Sequence, residues 1–455
     1  MSEDISLINS QSKSDLTAAL SQTIPTAAYV HVPFCRRRCY YCDFPISVVG
    51  DRTQSSRSSI DDYIAALIKE IKLTSGDRYS NAVSLNTVFF GGGTPSLLTP
   101  QQLGQIVDAI SSQFGIAEDA EISMEIDPGT FDRDRLQGYL AAGLNRFSLG
   151  VQTFDEELLK VSGRSHTLSE VMQAVEVFKQ LNVENFSLDL ISGLPHQTLK
   201  HCQTSLERAI AILPTHLSCY DLVLEPVTAF GKQYQPGETP LPSDNDTAEM
   251  YRLTQQTLTA AGYEHYEVSN YARSGYQCRH NRVYWENKPY YGFGMGAASY
   301  VGGKRFSRPR TRREYYEWLD KGAAIDAPEI TSTDYLLETL MLGLRLAEGV
   351  DLAQFSADAR RTILSCIKSY QKRGWIEIVD SSDRQGHPKR IAESCALRTR
   401  FANGLVSQPH YPGDRTFDLR DYNPLEQKSA RLRFNDPEGF LFSNTILAAL
   451  FEEFE

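Results

Sequence analysis

Short apolar runs rich in β-branched residues alternate, as far as Ala261, with longer stretches in which apolar residues recur every three or four positions. The short runs predict strands over Thr26–Val32, Thr87–Phe90, Glu121–Ile126, Asn145–Leu149, Asn185–Leu190 and His216–Val223. Between them, helical spacing (Ile60, Ile64, Leu67, Ile68 and Ile71 in the first case) predicts helices over Ser58–Leu73, Gln101–Phe114, Asp132–Ala142, Leu168–Leu181 and Lys200–Ile212. A further helix follows over Asp244–Ala261. Strands alternating with helices through tight loops specify an α/β fold with a parallel sheet. Six such units suit a partial (β/α)6 TIM-like barrel, curved but not closed. Barrels of this kind carry their reactive groups where the strands end. Cys35, Gly92, Glu125, Gln152, Asp189 and Tyr220 all fall on or beside those ends.

Elsewhere the pattern weakens. Residues 1–24 read as a polar tail, 25–318 as the barrel with an extension over 265–310, and 319–455 as a smaller, mainly helical C-terminal domain. That domain shows helices over Asp334–Leu346 and Leu352–Tyr370 and a strand over Gly374–Val379. Within it, residues 381–430 are polar, carry Gly386, Pro388, Pro409, Pro412 and Gly413, and show no periodicity. They read as a mobile insertion in a hairpin loop. His387, Cys395 and His410 lie there without metal-ligand spacing.

Composition narrows the class. Of 455 residues, 41% are apolar and 23% charged, which is ordinary for a globular protein with a sizeable core. A net charge of −11 argues against a general nucleic-acid binder, whose affinity rests on neutralising phosphates. No apolar run is long enough to span a membrane, and the N-terminus lacks the basic start and apolar centre of a signal peptide. A cytoplasmic location is expected, and clustered thiols suit such a reducing compartment.

Chemistry is concentrated in Tyr29–Phe44, YVHVPFCRRRCYYCDF, where Cys35, Cys39 and Cys42 stand in C-x3-C-x2-C spacing directly after the first strand. Thiolates are the usual ligands of iron–sulfur clusters, normally four per cluster. Three from one loop leave one iron open to a non-protein ligand. A structural zinc site is the alternative, but it requires four closed ligands and no second C-x2-C pair is present. His31 and Asp43 are the nearby candidates for a fourth ligand. The run Gly91–Gly93 either permits a tight turn or lets backbone amides approach a charged ligand. Glu125 and Asp189 read either as caps and ion-pair partners or as acceptors for ribose hydroxyls or an ammonium group. Arg164 reads either as a solvated cation or as a partner for a carboxylate.

Cysteines in this spacing after a strand resemble the signature of radical S-adenosylmethionine (SAM) enzymes. Together with FFGGGTP, SMEIDPG, FSLGVQTFD, GRSH and LDLISGLPHQ, in this order, they resemble one branch of that superfamily. The branch contains the anaerobic coproporphyrinogen III dehydrogenase and its heme-chaperone paralogues. The resemblance implies that Cys35, Cys39 and Cys42 hold a [4Fe–4S] cluster whose open iron binds SAM, contacted by Tyr29, Gly92 and Glu125. It matches Gly93, Thr94, Gln152, Arg164 and Asp189 to positions that hold a second SAM in the dehydrogenase. The C-terminal region resembles the branch's helical accessory domain.

HYEVSNYARSGYQCRHNRVYW, from His265 to Trp285, resembles the chaperone group and implies heme contact through His280, Tyr284 and Trp285, with Cys278 an alternative iron ligand. Read from the residues alone, His280 is rather a hydrogen-bonded core histidine among packing aromatics. The basic run Lys304, Arg305, Arg308, Arg310, Arg312 and Arg313 is a solvated face or a propionate-attracting one, and Arg36–Arg38 could steer an acidic electron donor such as flavodoxin or ferredoxin. The dehydrogenase carries a fourth cysteine two residues after the third; here that place is Phe44. The expected function is therefore a heme chaperone delivering heme to respiratory proteins, with peripheral membrane association and a monomeric or homodimeric state. Coproporphyrinogen III dehydrogenation and radical SAM methyl transfer are the alternatives.

Overall fold

The computed structural model describes residues 23–50, 54–74, 83–380 and 430–454, with backbone alone for 54–58. The expected polar tail and loop insertion lie almost wholly outside these residues. The chain divides into two compact units, Met1–Tyr335 and Leu336–Glu455.

The first unit is built on six strands: β1 (Ala27–Val32), β2 (Leu85–Gly92), β3 (Ile116–Ile126), β4 (Arg146–Gln152), β5 (Phe186–Ser192) and β6 (His216–Asp221). They lie side by side in chain order and all parallel. Two additions were not legible as strands. The hairpin β7 (Glu264–Glu267) and β8 (Asn270–Ala272) pairs antiparallel with β6, and β9 (Tyr291–Phe293) runs parallel along the free side of β1. The resulting order is β9-β1-β2-β3-β4-β5-β6-β8-β7, an open sheet whose end strands do not pair with each other. The extension over 265–310 thus supplies both edges of the barrel.

The intervening helices include α1 (Gln54–Leu73), α2 (Pro100–Phe114), α3 (Arg133–Ala141), α4 (Glu156–Val161), α5 (Leu168–Gln180), α6 (Leu199–Ile212), α7 (Ala229–Gln233) and α8 (Asp244–Ala260). Their starts follow local chemistry. Thr99 with Gln102, Thr167 with Glu170, Thr198 with His201 and Ser243 with Asp246 form reciprocal capping boxes, each satisfying two backbone donors that the helix leaves unpaired. On α2, Leu103, Ile106, Ala109 and Ile110 form the buried face, at the three- and four-residue spacing that one side of a helix requires.

Strand alternation divides the barrel into two environments. One set of positions is apolar and buried: Val88 and Phe90, Met124 and Ile126, Phe147 and Leu149, Leu188, and Leu217. The other set carries Thr87, Glu121, Ser123, Glu125, Ser148, Ser187, Asp189, His216 and Ser218, among which Ser148, Ser187, Asp189, His216 and Ser218 bond to one another. The lumen is therefore largely polar, with Tyr29 and Phe89 stacked within it, and the apolar core lies between sheet and helices.

In the second unit, β12 (Val350–Asp351), β13 (Ile376–Asp380) and β14 (Ala430–Phe434) form an antiparallel sheet in the order β12-β14-β13; β10 (Ala298–Val301) and β11 (Lys304–Ser307) form a separate hairpin in the first unit. The last rung between β13 and β14 pairs Asp380 with Ala430, so residues 381–429 leave and rejoin the sheet at adjacent positions. The helix expected over Leu352–Tyr370 is two helices, Ala357–Cys366 and Lys368–Lys372.

Candidate functional site

The cysteine loop leaves β1 at its C-terminal end and is fastened at many points. Ser47 N donates to Pro33 O (2.6 Å), Val49 N to Cys35 O (2.9 Å), and Thr94 N to Phe34 O (2.7 Å). Tyr40 N donates to Ser162 O (3.1 Å), and Phe230 N to Tyr40 O (2.9 Å). Arg38 Nη1 bridges the carbonyls of Cys42 and Phe44, each at 3.1 Å, and Arg310 Nη2 donates to Asp43 O at 3.0 Å. Beneath the loop, buried His31 donates from Nε2 to Pro45 O (3.0 Å), which leaves Nδ1 to accept from the Tyr29 hydroxyl (3.0 Å). Burial lowers the His31 pKa to about 4, so the ring is neutral, as this pair of bonds requires.

Two sulfurs receive hydrogen bonds. Thr94 Oγ1 donates to Cys35 Sγ (3.6 Å) and Arg164 Nη1 to Cys39 Sγ (3.4 Å). Donors aimed at sulfur are the outer contacts that stabilise ligating thiolates. Burial pushes the Cys35 thiol up to about 12 and raises Cys42, so these groups are protonated without iron and release protons when it binds. A Cβ on Gly93 would stand 2.7 Å from Phe34 O and 3.0 Å from Cys35 Sγ; on Gly92, at φ +113°, it would stand 2.4 Å from the His31 ring. Only glycine lets β2 pass this close to the loop. Among the described residues, no three His, Cys, Asp or Glu side chains are gathered tightly enough to hold a single metal ion. A cluster, with one thiolate on each iron, spreads its ligands more widely, and the loop fits that donor set.

Beside the loop, Gly92 N donates to Glu125 Oε2 (3.0 Å). Burial, then the nearby Asp189 carboxylate, raises the Glu125 pKa from 4.5 to about 7. Asp189 accepts from Ser148 Oγ at 2.8 and 2.9 Å, and burial raises its pKa too. Two carboxylates at the strand ends offer acceptors to hydroxyl or ammonium donors. Gln152 adopts φ +66°, a left-handed conformation that non-glycine residues seldom take, at the end of β4.

Arg164, expected as a nucleotide contact, is paired within the protein: its Nη2 meets Asp127 Oδ1 and donates to Gly150 O (3.0 Å). His166 Nδ1 lies 3.8 Å from the same carboxylate oxygen. Asp127 is the principal site residue the sequence reading passed over. Its position two residues beyond Glu125, at the end of the same strand, was the available signal.

The helix α9 (Arg279–Trp285) lies at the opposite end of the barrel. Glu121, at the entry side of β3, accepts from Arg279 N and His280 N, both at 3.1 Å. The His280 ring is buried, with Nδ1 2.9 Å from Thr87 Oγ1 and Nε2 2.8 Å from the Tyr284 hydroxyl, and it stacks on Phe89. Burial lowers its pKa to about 3. Both nitrogens are engaged, and none is spare for iron in this conformation. Cys278 is buried, its sulfur 3.6 Å from Glu121 Oε1, with its thiol pushed up to about 12 by burial. The structure thus places His280 and Tyr284 toward the entry side of the barrel, beneath Phe89, which also stacks on Tyr29.

An open parallel barrel with three cysteines on the loop after its first strand defines a radical SAM protein, and the radical SAM superfamily model matches residues 29–209. The HemN C-terminal domain model matches residues 330–382. The chain is 45% identical to the heme chaperone HemW of Synechocystis sp. over 95% of its own length and 98% of that protein's. It is 35% identical to the heme chaperone HemW of Bacillus subtilis over 80% of its length and 96% of that protein's. The chain belongs to the heme chaperone HemW family. In fold it is similar to the coproporphyrinogen III oxidase (HemN) of Escherichia coli, with a TM-score of 0.71 at 21% identity over 96% of this chain and 92% of that one. Among the described residues no helix is long and apolar enough to cross a membrane.

Proposed function

We propose that this chain binds heme and hands it to a heme-requiring acceptor protein. The observation that carries this reading is the 45% identity to a protein named as a heme chaperone across 98% of that protein's length. Phe44, where the dehydrogenase has a cysteine, supports it. In this reading Cys35, Cys39 and Cys42 hold a [4Fe–4S] cluster, and Tyr29, Gly92 and Glu125 face the SAM bound to it. When bound, that pair supplies reductive radical chemistry. The chain's own residues fasten the loop, keep His31 neutral and set the Glu125 carboxylate, whose raised pKa falls when a cationic ammonium group sits against it.

The pairing of Arg164 with Asp127 supports a single-nucleotide reading, while Asp189, which accepts from Ser148, keeps acceptor capacity for a ligand hydroxyl. The remaining partners follow from the family: respiratory heme proteins as acceptors and an acidic electron donor, in a cytoplasmic protein with peripheral membrane contact.

The test is an anaerobic heme titration of the cluster-loaded chain, followed by absorbance. Saturable binding near one heme per chain is expected. Absence of saturation would overturn the chaperone reading, and coproporphyrinogen III turnover would then be assayed directly.

A further inference from the structure

His216 stands in the lumen outside the site described above, and its hydrogen bonds run in one direction. It begins β6 and pairs in register with Ser187 of β5, while Ser218 pairs with Asp189. Its ring is buried, with Nδ1 2.8 Å from Ser187 Oγ and Nε2 2.9 Å from the Tyr266 hydroxyl. Tyr266, on β7, is buried too, and its oxygen accepts from Cys278 N at 3.3 Å.

These contacts fix where each proton lies. A backbone N–H can only donate, so Tyr266 accepts from Cys278 and keeps its own proton to give. A buried hydroxyl that fails to donate bears a desolvation cost. Among the described residues, His216 Nε2 is the one acceptor within reach of the Tyr266 hydroxyl. Nε2 therefore carries no proton. Burial, with Arg146 nearby, keeps the ring neutral, so its single proton sits on Nδ1. Nδ1 then donates to Ser187, whose own proton is left for Asp189 Oδ1 at 3.4 Å. Ser218 Oγ, at 3.5 Å from Ser187, is neutral and accepts less strongly than a carboxylate. The chain of donors thus runs from Cys278 N through Tyr266, His216 and Ser187, and ends on Asp189.

We propose that His216 and Tyr266 are positioning residues for Asp189: they turn the Ser187 hydroxyl toward it and so hold that carboxylate as an acceptor for a hydroxyl of the bound nucleotide. This role rests on the nucleotide reading above and says what maintains one wall of that site. Without the Tyr266 hydroxyl, the His216 proton is free to move to Nε2. Nδ1 then becomes an acceptor, and Ser187 turns its proton away from Asp189. Tyr266, from the run HYEVSNYA that the sequence singles out, thereby serves the lumen.

Asp189 is followed by the infrared band of its protonated carboxyl, identified by its loss in Asp189→Asn. The titration uses the cluster-loaded chain without SAM, in a Glu125→Gln background that removes the neighbouring carboxylate. Arg146, Cys219 and Tyr220 are the other ionisable groups around Asp189 and stay unchanged. Removing a donor from a carboxylate raises its pKa. Tyr266→Phe and Ser187→Ala are each expected to raise the Asp189 midpoint by about one pH unit. The double variant is expected to shift no further than Ser187→Ala alone, because Tyr266 acts through Ser187. A wild-type midpoint in either single variant, or shifts that add in the double variant, would overturn the positioning role. Should Tyr266→Phe fold poorly, His216→Leu takes its place, with the same expected shift and the same overturning result. SAM affinity, from anaerobic equilibrium dialysis, tests the reading beneath. Asp189→Asn is expected to bind SAM about tenfold more weakly. Wild-type affinity there would overturn the nucleotide assignment of Asp189, while the titrations still decide what holds it.

Discussion

At Gly93 one methyl group decides whether the cysteine loop can close. A Cβ there meets the Phe34 carbonyl at 2.7 Å and the Cys35 sulfur at 3.0 Å, and neither the backbone nor the buried thiol can yield. Gly93→Ala is expected to lower iron and sulfide per chain by more than half. Alanine at Cys35, Cys39 or Cys42 should abolish both; retained stoichiometric iron in those variants would refute the cluster assignment. Glu125 makes a separate prediction through pH. Its pKa in the folded, ligand-free chain is raised from 4.5 to about 7, so its contribution is full below about 4.5 and is lost as pH rises through 7. Urea unfolding at pH 5 and pH 8 should show the wild type losing on the order of 2 kcal/mol more than Glu125→Gln across that interval. The buried histidines have the opposite sign: His280, lowered to about 3, contributes fully above its ordinary 6.5 and loses that contribution as pH falls.

Between elements, the best-defined joint is the buried pair Glu70–Arg308, which ties α1 to the chain after β11. Arg308 Nε donates to Glu70 Oε1 (2.7 Å), while Glu70 Oε2 accepts from Gly294 N (2.7 Å) and the Tyr315 hydroxyl (2.6 Å). In sequence Arg308 reads as part of a basic run on a solvated or propionate-attracting face. It is 4% exposed, its charge met by a carboxylate that lies far away in sequence. Arg308→Met leaves Glu70 buried without its partner and should cost about 3–5 kcal/mol in chemical denaturation. The double variant Glu70→Gln, Arg308→Met should recover most of that loss. A single variant as stable as wild type would show that the pair does not join these elements.

On the scale of the whole molecule, the segment over 381–430 can be addressed through its anchors. Because Asp380 pairs with Ala430 at the end of the β13–β14 ladder, a short turn can replace residues 381–429 without moving either strand. Such a chain should keep its unfolding midpoint or gain slightly, since a shorter loop costs less entropy to close. Collapse of the C-terminal unit, seen as loss of hydrogen-exchange protection over Ile376–Asp380, would show instead that the segment contributes to the core.

The sequence by itself determined the order of the six barrel strands, the longer helices between them, and the placing of Cys35, Gly92, Glu125, Gln152 and Asp189 at one end of the sheet. These depend on period-two and period-3.6 patterning and on capping residues within a few positions, all local information. Tertiary structure alone decided what those residues meet. Arg164 is spent on Asp127, His280 on Thr87 and Tyr284, and the strands β7–β9 arise from an extension whose pattern predicts no strand. The physical reason is the same in each case. A buried polar group must find a partner or bear its full desolvation cost, and the partner it finds is set by which strands lie side by side. Local patterning therefore fixes which residues reach the strand ends, while the folded chain fixes which of them remain free to bind anything else.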